Sequence, residues 1–122
     1  MAIITHPTRI FDLHCDTLDR LALHSAIPEA GFMAEDSLVP AHRMSSLADN
    51  DAHIDLTRMS RAQYAWCQCF AAFIPDDLGE QGSLRVFNTV YSYFKEQLVQ
   101  HAGLIEQVMD ARDIRRIVDE GR

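Results

Sequence analysis

Long apolar runs are missing from this chain. Nowhere in its 122 residues do about 18 apolar residues follow one another, so no membrane span is expected. The opening residues, Met1 to Thr8, contain Pro7 and lack the apolar stretch and small-residue cleavage site of a secretory leader. Basic charge is scarce too. Eleven Lys and Arg stand against 18 Asp and Glu, giving a formal net charge of -7. That disfavours nucleic acid as a partner, because a phosphate-binding surface needs a clustered basic excess. The one local group, Arg112, Arg115 and Arg116, has helical spacing and reads as a solvated helix face. Cysteine is limited to Cys15, Cys67 and Cys69, an odd count with no framework spacing. Free thiols in a cytoplasmic protein are the expectation. Repeats and low-complexity segments are absent.

What is present suits a globular domain. With 48% hydrophobic and 24% charged residues, the composition is ordinary, and the length is enough for one domain with a real core. Residues 9–18 read as a strand running into a loop, and 18–26 as a short helix stopped by Pro28. Residues 29–60 carry loop chemistry: Gly31, Pro40, Ser45-Ser46 and Asp49-Asn50-Asp51. Residues 63–74, QYAWCQCFAAFI, are nearly continuous in apolar side chains, as a strand buried on both faces should be. Helix is expected over 83–101. Ser83 is its N-cap, Gly103 closes it, and Leu84, Phe87, Tyr91, Phe94 and Leu98 form its apolar stripe. Residues 104–109 read as a link or edge strand. Asp110 and Asp113 then open a last helix with a capping-box pair, its apolar face Ile114, Ile117 and Val118, ended by Gly121. Strand, loop, strand, helix, helix is the opening of an α/β protein with parallel strands.

The chemistry concentrates in Asp12-Leu13-His14-Cys15-Asp16. Side chains alternate along a strand, so Asp12, His14 and Asp16 share one face and Phe11, Leu13 and Cys15 the other. The second face is apolar and suits packing under helices. The first face would put two carboxylates and an imidazole in a buried interior. Uncompensated, that is unfavourable by several kcal/mol. A metal cation compensates, because it takes His nitrogen and Asp oxygen together. The simpler account of a His-x-Asp triplet is a strand end whose His and Asp hydrogen-bond each other. Cys15 is read as packing, and Cys67 and Cys69 as buried structural thiols. His42 and His53 lie in the long loop, within reach of a site mouth, although a solvated His is the default there.

The segment IFDLHCDTLDRL resembles the first barrel strand of the renal (membrane) dipeptidase family of metallopeptidases, where an Asp-x-His-x-Asp pattern opens the catalytic barrel. HIDLTRMSRAQYAWCQCFAAFIP is similar to that family's second region, although members are often glycine-rich where this chain has Gln63 to Gln68. DARDIRRIVDEGR resembles the helix ahead of the third strand. The match runs in order from Ile10 to Arg122. It implies the N-terminal part of a (β/α)8 TIM-barrel metal-dependent hydrolase, residues 1–122 forming a single incomplete domain. It implies binuclear zinc, with His14 and Asp16 as ligands of one metal and Asp12 in a supporting role behind them. It also implies zinc-dependent hydrolysis of dipeptides, two metals activating a water for attack on the peptide carbonyl. Members carry an aromatic residue where this chain has Asp19. The remaining ligands would lie on later strands, beyond Arg122. Two alternatives stay open. One is a non-catalytic fragment that associates with a remainder or with itself through unpaired strand edges. The other is a related barrel hydrolase acting on another amide.

Overall fold

The computed structural model describes residues 8–23, 46–62 and 64–120. Within them the order is β1 (Arg9–Cys15), α1 (Thr17–Leu23), α2 (Leu56–Arg61), β2 (Ala65–Phe70), a 3-10 turn (Asp76–Leu78), α3 (Gly79–Gln100) and α4 (Ala111–Asp119). Expectations resting on Pro28, Gly31, Pro40, His42 and Gly121 fall outside the described residues. None of the described helices is long and apolar enough to cross a membrane.

The fold is mixed α/β. β1 and β2 pair in parallel, Arg9 opposite Ala65, Ile10 opposite Trp66, Phe11 opposite Cys67 and Asp12 opposite Gln68. The register then slips. Cys15 meets Phe70, so β1 sets two residues, Leu13 and His14, against the single Cys69. This is a bulge, which bends a strand and re-aims its side chains.

The bulge corrects the alternation expected for β1. Cys15 is buried, whereas Leu13 is 75% exposed and Phe11 55% exposed. The three therefore do not form one face packed under helices. Asp12 and Asp16 are half-buried and His14 is exposed, so the polar side chains do not sit in a sealed interior either. Of the CxC pair, Cys67 is half-buried and Cys69 exposed, so Cys69 is not the buried thiol expected of it. Burial pushes the Cys67 thiol up from its ordinary value.

Helices build the core. α1 packs on α3, where Leu18, Ala22 and Leu23 meet Val86 and Val90, with Phe70 and Phe94 against them. The rings of Phe70 and Phe94 lie 6.3 Å apart, tilted by 53°, which ties the end of β2 to α3. A second cluster joins Leu21 to Leu47 and Leu56. The inward stripe of α3 is thus Val86, Val90, Phe94 and Gln97. It is not the stripe of larger residues, because Leu84, Phe87 and Tyr91 are exposed. Phe87 and Tyr91 stack on each other at 5.8 Å instead, with the Lys95 ammonium over the Tyr91 ring. Gln97 is buried because its Oε1 accepts the Leu47 N–H at 2.8 Å. A polar residue on the inner stripe hides that stripe from a hydrophobicity pattern.

The ends of elements follow local chemistry. α3 begins at Gly79, four residues before Ser83, and Gly79 takes the left-handed φ of 64° that glycine adopts without penalty. It ends where the His101 N–H donates to the Gln97 carbonyl; Gly103 lies in the turn beyond. Residues 105–109 form no strand. The box of Asp110 and Asp113 opens α4 as the sequence implies, and Ile117 is buried. Arg112 and Arg116 are engaged with Asp110, and with Glu106, Asp113 and Glu120, respectively.

Two substitutions on α3 separate its faces. Val90→Ala should lower unfolding free energy by about 2 kcal/mol, and Phe87→Ser by less than about 1 kcal/mol, read from urea denaturation. A larger loss for Phe87→Ser would put the aromatic stripe in the core.

Candidate functional site

The carboxyl end of β1 carries His14, and Asp16 follows one residue past the strand. His14 Nε2 and Asp16 Oδ1 lie 3.1 Å apart. At that distance the two form an ion pair whenever the ring is protonated. Asp12 does not touch the ring. Its Oδ1 accepts the backbone N–H of His14 at 3.2 Å, a local turn contact that fixes the His14 backbone within the bulge.

These groups border an open depression of about 390 Å³, lined by Asp12, His14, Asp16, Trp66, Ile54 and His53 among others. His53 arrives from the segment between α1 and α2, 39 positions on from His14 in the numbering. Trp66 enters because it stands opposite Ile10 in the register. Its indole N–H donates to Gln68 Oε1 at 2.9 Å, and Gln68 Nε2 donates to the Asp12 carbonyl at 3.4 Å. The two strand ends are therefore laced by side chains as well as by backbone.

Behind the depression lies a carboxylate that the sequence did not flag. Asp19, on the first turns of α1, is fully buried. Its Oδ2 accepts the Phe73 N–H at 2.6 Å, and its Oδ1 has no hydrogen-bond partner among the described residues. Burial, opposed by the Phe73 bond, lifts its pKa from 3.8 to about 6; Asp16 adds to the rise and His14 works against it. The sequence held two hints: Asp19 stands where the resemblance expects an aromatic residue, and with Arg20 it is one of two charged residues inside the Leu18–Leu23 stretch. Thr17 is buried as well. Its Oγ1 receives the Cys15 thiol and the Ile54 N–H, each at 3.2 Å. Cys15 is thereby a packed thiol, as expected.

Could this set hold a metal? Two ligands about 2.0–2.1 Å from a tetrahedral zinc stand roughly 3.3 Å from each other. The 3.1 Å between His14 Nε2 and Asp16 Oδ1 is close to that, and neutral imidazole with carboxylate is ordinary zinc chemistry. The pair fits as two ligands. Among the described residues, however, no group of three His, Cys, Asp or Glu is arranged to hold an ion. Zinc sites use three or four protein ligands, so the pair amounts to half of one. No protein-family model, no curated protein and no solved structure matches this chain.

Asp19 makes stability depend on pH. Its folded pKa lies above its unfolded value, so its contribution is fully present below about pH 3.8 and is lost as pH rises through about 6. The loss is on the order of 3 kcal/mol. Asp19→Asn keeps an acceptor for the Phe73 N–H without the charge. Denaturation at about pH 4 and about pH 7 should show the wild type losing more stability than the variant over that interval. Equal losses would mean that Asp19 is not the group responsible.

Proposed function

We propose that this chain supplies the first-strand metal ligands, His14 and Asp16, of a zinc-dependent dipeptidase, and that β1 and β2 open a (β/α)8 barrel. The observation that carries the reading is the His14–Asp16 pair at the carboxyl end of a strand in a parallel sheet, with ligand-like atom spacing. In parallel α/β folds, sites form at the carboxyl ends of strands, where the loops converge. The resemblance of the same residues to the renal dipeptidase family supplies the substrate class.

In that reading His14 Nε2 and an Asp16 oxygen would hold zinc. Bound zinc supplies Lewis acidity and lowers the pKa of a water that attacks the amide carbonyl. The chain's own groups set up this arrangement. The Asp12 carboxylate holds the His14 backbone in the bulge, Thr17 anchors the turn after Asp16, and the Trp66 indole forms an apolar wall of the depression. The other ligands and the second zinc belong to later strands of the barrel.

A second reading, a piece that associates with a remainder or with itself, is favoured by the uncovered side of the strands. Phe11, Leu13 and Phe73 are all more than half exposed, whereas strands of a parallel sheet are ordinarily covered on both faces.

Each reading has its own test. In a complete protein that carries the remaining ligands, His14→Ala or Asp16→Ala should weaken zinc binding at least tenfold, roughly the least seen for groups behind the ligands, and abolish zinc-dependent hydrolysis of dipeptides. Calorimetric zinc titration and a dipeptide assay read the two effects. Near-normal hydrolysis with zinc bound would refute the ligand assignment. For the second reading, sedimentation velocity should show concentration-dependent association that Leu13→Asp suppresses. A wild-type chain that stays monomeric would exclude self-association through this face.

A further inference from the structure

We propose that α3 docks antiparallel on the α3 of a second copy of this chain, through the line of side chains Glu80, Leu84, Phe87, Tyr91 and Lys95. Steps of three and four residues put these five on one side of the helix. All five are exposed, and Leu84, Phe87 and Tyr91 each keep between 42% and 50% of their surface in water. The buried Val86, Val90 and Gln97 follow a second line, about a third of a turn away round the helix. Apolar side chains thus point two ways from α3, and only one of the two lines is buried.

The helix fixes the order of groups along the exposed line. Glu80 and Lys95 stand at its ends, about 22 Å apart at about 1.5 Å per residue, with the three apolar side chains between them. The two rings are already set against each other. Phe87 and Tyr91 stack at 5.8 Å and 13°, and the Lys95 ammonium lies 4.7 Å from the centre of the Tyr91 ring. Side chains held in this way lose little freedom when a partner covers them.

Such a line is complementary to itself in one orientation only. Two parallel copies would set Glu80 against Glu80 and Lys95 against Lys95. In an antiparallel pair, Glu80 of each copy meets Lys95 of the other and Leu84 meets Tyr91, while the two-fold axis passes beside Phe87. Opposite ends of the two helix dipoles are then adjacent, which also favours this orientation. Rows of side chains at these steps interdigitate at a shallow crossing angle of about 20°. Three apolar side chains per copy cover a few hundred Å², short of the about 1,000 Å² of a stable interface. Each copy also carries a net charge of -7. The dimer is therefore transient and forms at high concentration. Its surface is separate from the strand face of Phe11 and Leu13, and it does not depend on the dipeptidase reading.

The test is charge exchange, read by sedimentation velocity on the 122-residue chain. Leu13→Asp serves as the parent, so that the strand face is silent. The parent should show a monomer–dimer equilibrium in the range of about 0.1–1 mM. By symmetry, Glu80→Lys alone or Lys95→Glu alone turns both charge pairs from opposite to like, and each should weaken dimerisation about tenfold. An equimolar mixture of the two variants regains opposite charges at both pairs of the mixed dimer, so it should associate as the parent does. That recovery also shows that both variants are folded. A parent that stays monomeric at about 1 mM would overturn the inference, and so would single variants that associate as tightly as the parent or a mixture that fails to recover. Association of the unmodified chain that vanishes with Leu13→Asp would assign it to the strand face and overturn the inference as well.

Discussion

Asp19 sets a carboxylate with no exposed surface between the ends of two strands. One of its oxygens holds the Phe73 N–H just beyond β2, and the residue itself sits on the helix that succeeds β1. Two positions earlier the buried Thr17 hydroxyl binds the Ile54 N–H. Three stretches distant in sequence, residues 14–19, 52–55 and 71–73, are thus fixed to one turn. A neutral side chain at Asp19 with no acceptor would remove the bond that the Phe73 N–H donates to Asp19 Oδ2 at 2.6 Å. The depression exists because this turn holds its walls together. Burial of the second oxygen raises the pKa of Asp19, and the fold tolerates that charge in exchange for the connection.

The same turn explains why so short a sheet forms here. A parallel pair cannot be closed by a hairpin and needs a crossover, and two strands alone are marginal. β1 and β2 pair with each other, and the end of β2 is also held by helices: Leu18, Ala22 and Leu23 of α1 pack with Phe70 on Val86 and Val90 of α3. The carboxyl ends of the strands are therefore the firm part. Phe11 and Leu13, further from this cluster, keep more than half their surface in water.

Local chemistry was the part of this structure legible from sequence. The Asp110–Asp113 box and the existence of strands at β1 and β2 follow from side-chain type, but β2 covers only Ala65–Phe70 and none of its residues is buried, unlike the strand buried on both faces that its apolar run implies. The bulge was not legible: no glycine or turn residue marks Leu13 and His14, and only the pairing of Asp12 with Gln68 and of Cys15 with Phe70 reveals the extra residue. Nor was the inner face of α3, where Gln97 interrupts the buried stripe and two stacked aromatic rings mimic one outside. The closeness of His14 and Asp16 was legible because their spacing is itself the signal. Asp19, Thr17 and Trp66 were not, since their roles depend on partners 37 to 54 residues away or on register, and no short-range pattern encodes such a separation.

Two carboxylates three residues apart, Asp16 and Asp19, consequently have opposite characters. The side chains of His14 and Asp16 are 69% and 49% exposed, and an ion pair with that much water around it contributes little to stability, typically about 0–1 kcal/mol. The fold does not depend on the pair for its stability. Asp19 is the reverse: it has no access to a ligand, yet it determines where the turn lies. Environment alone divides such groups between roles, as it does wherever neighbouring carboxylates are pushed to different pKa values. The division also makes the site separable from the scaffold. On the proposed reading, substitution at His14 or Asp16 bears on what binds, whereas substitution at Asp19 bears on the turn that holds the walls of the depression.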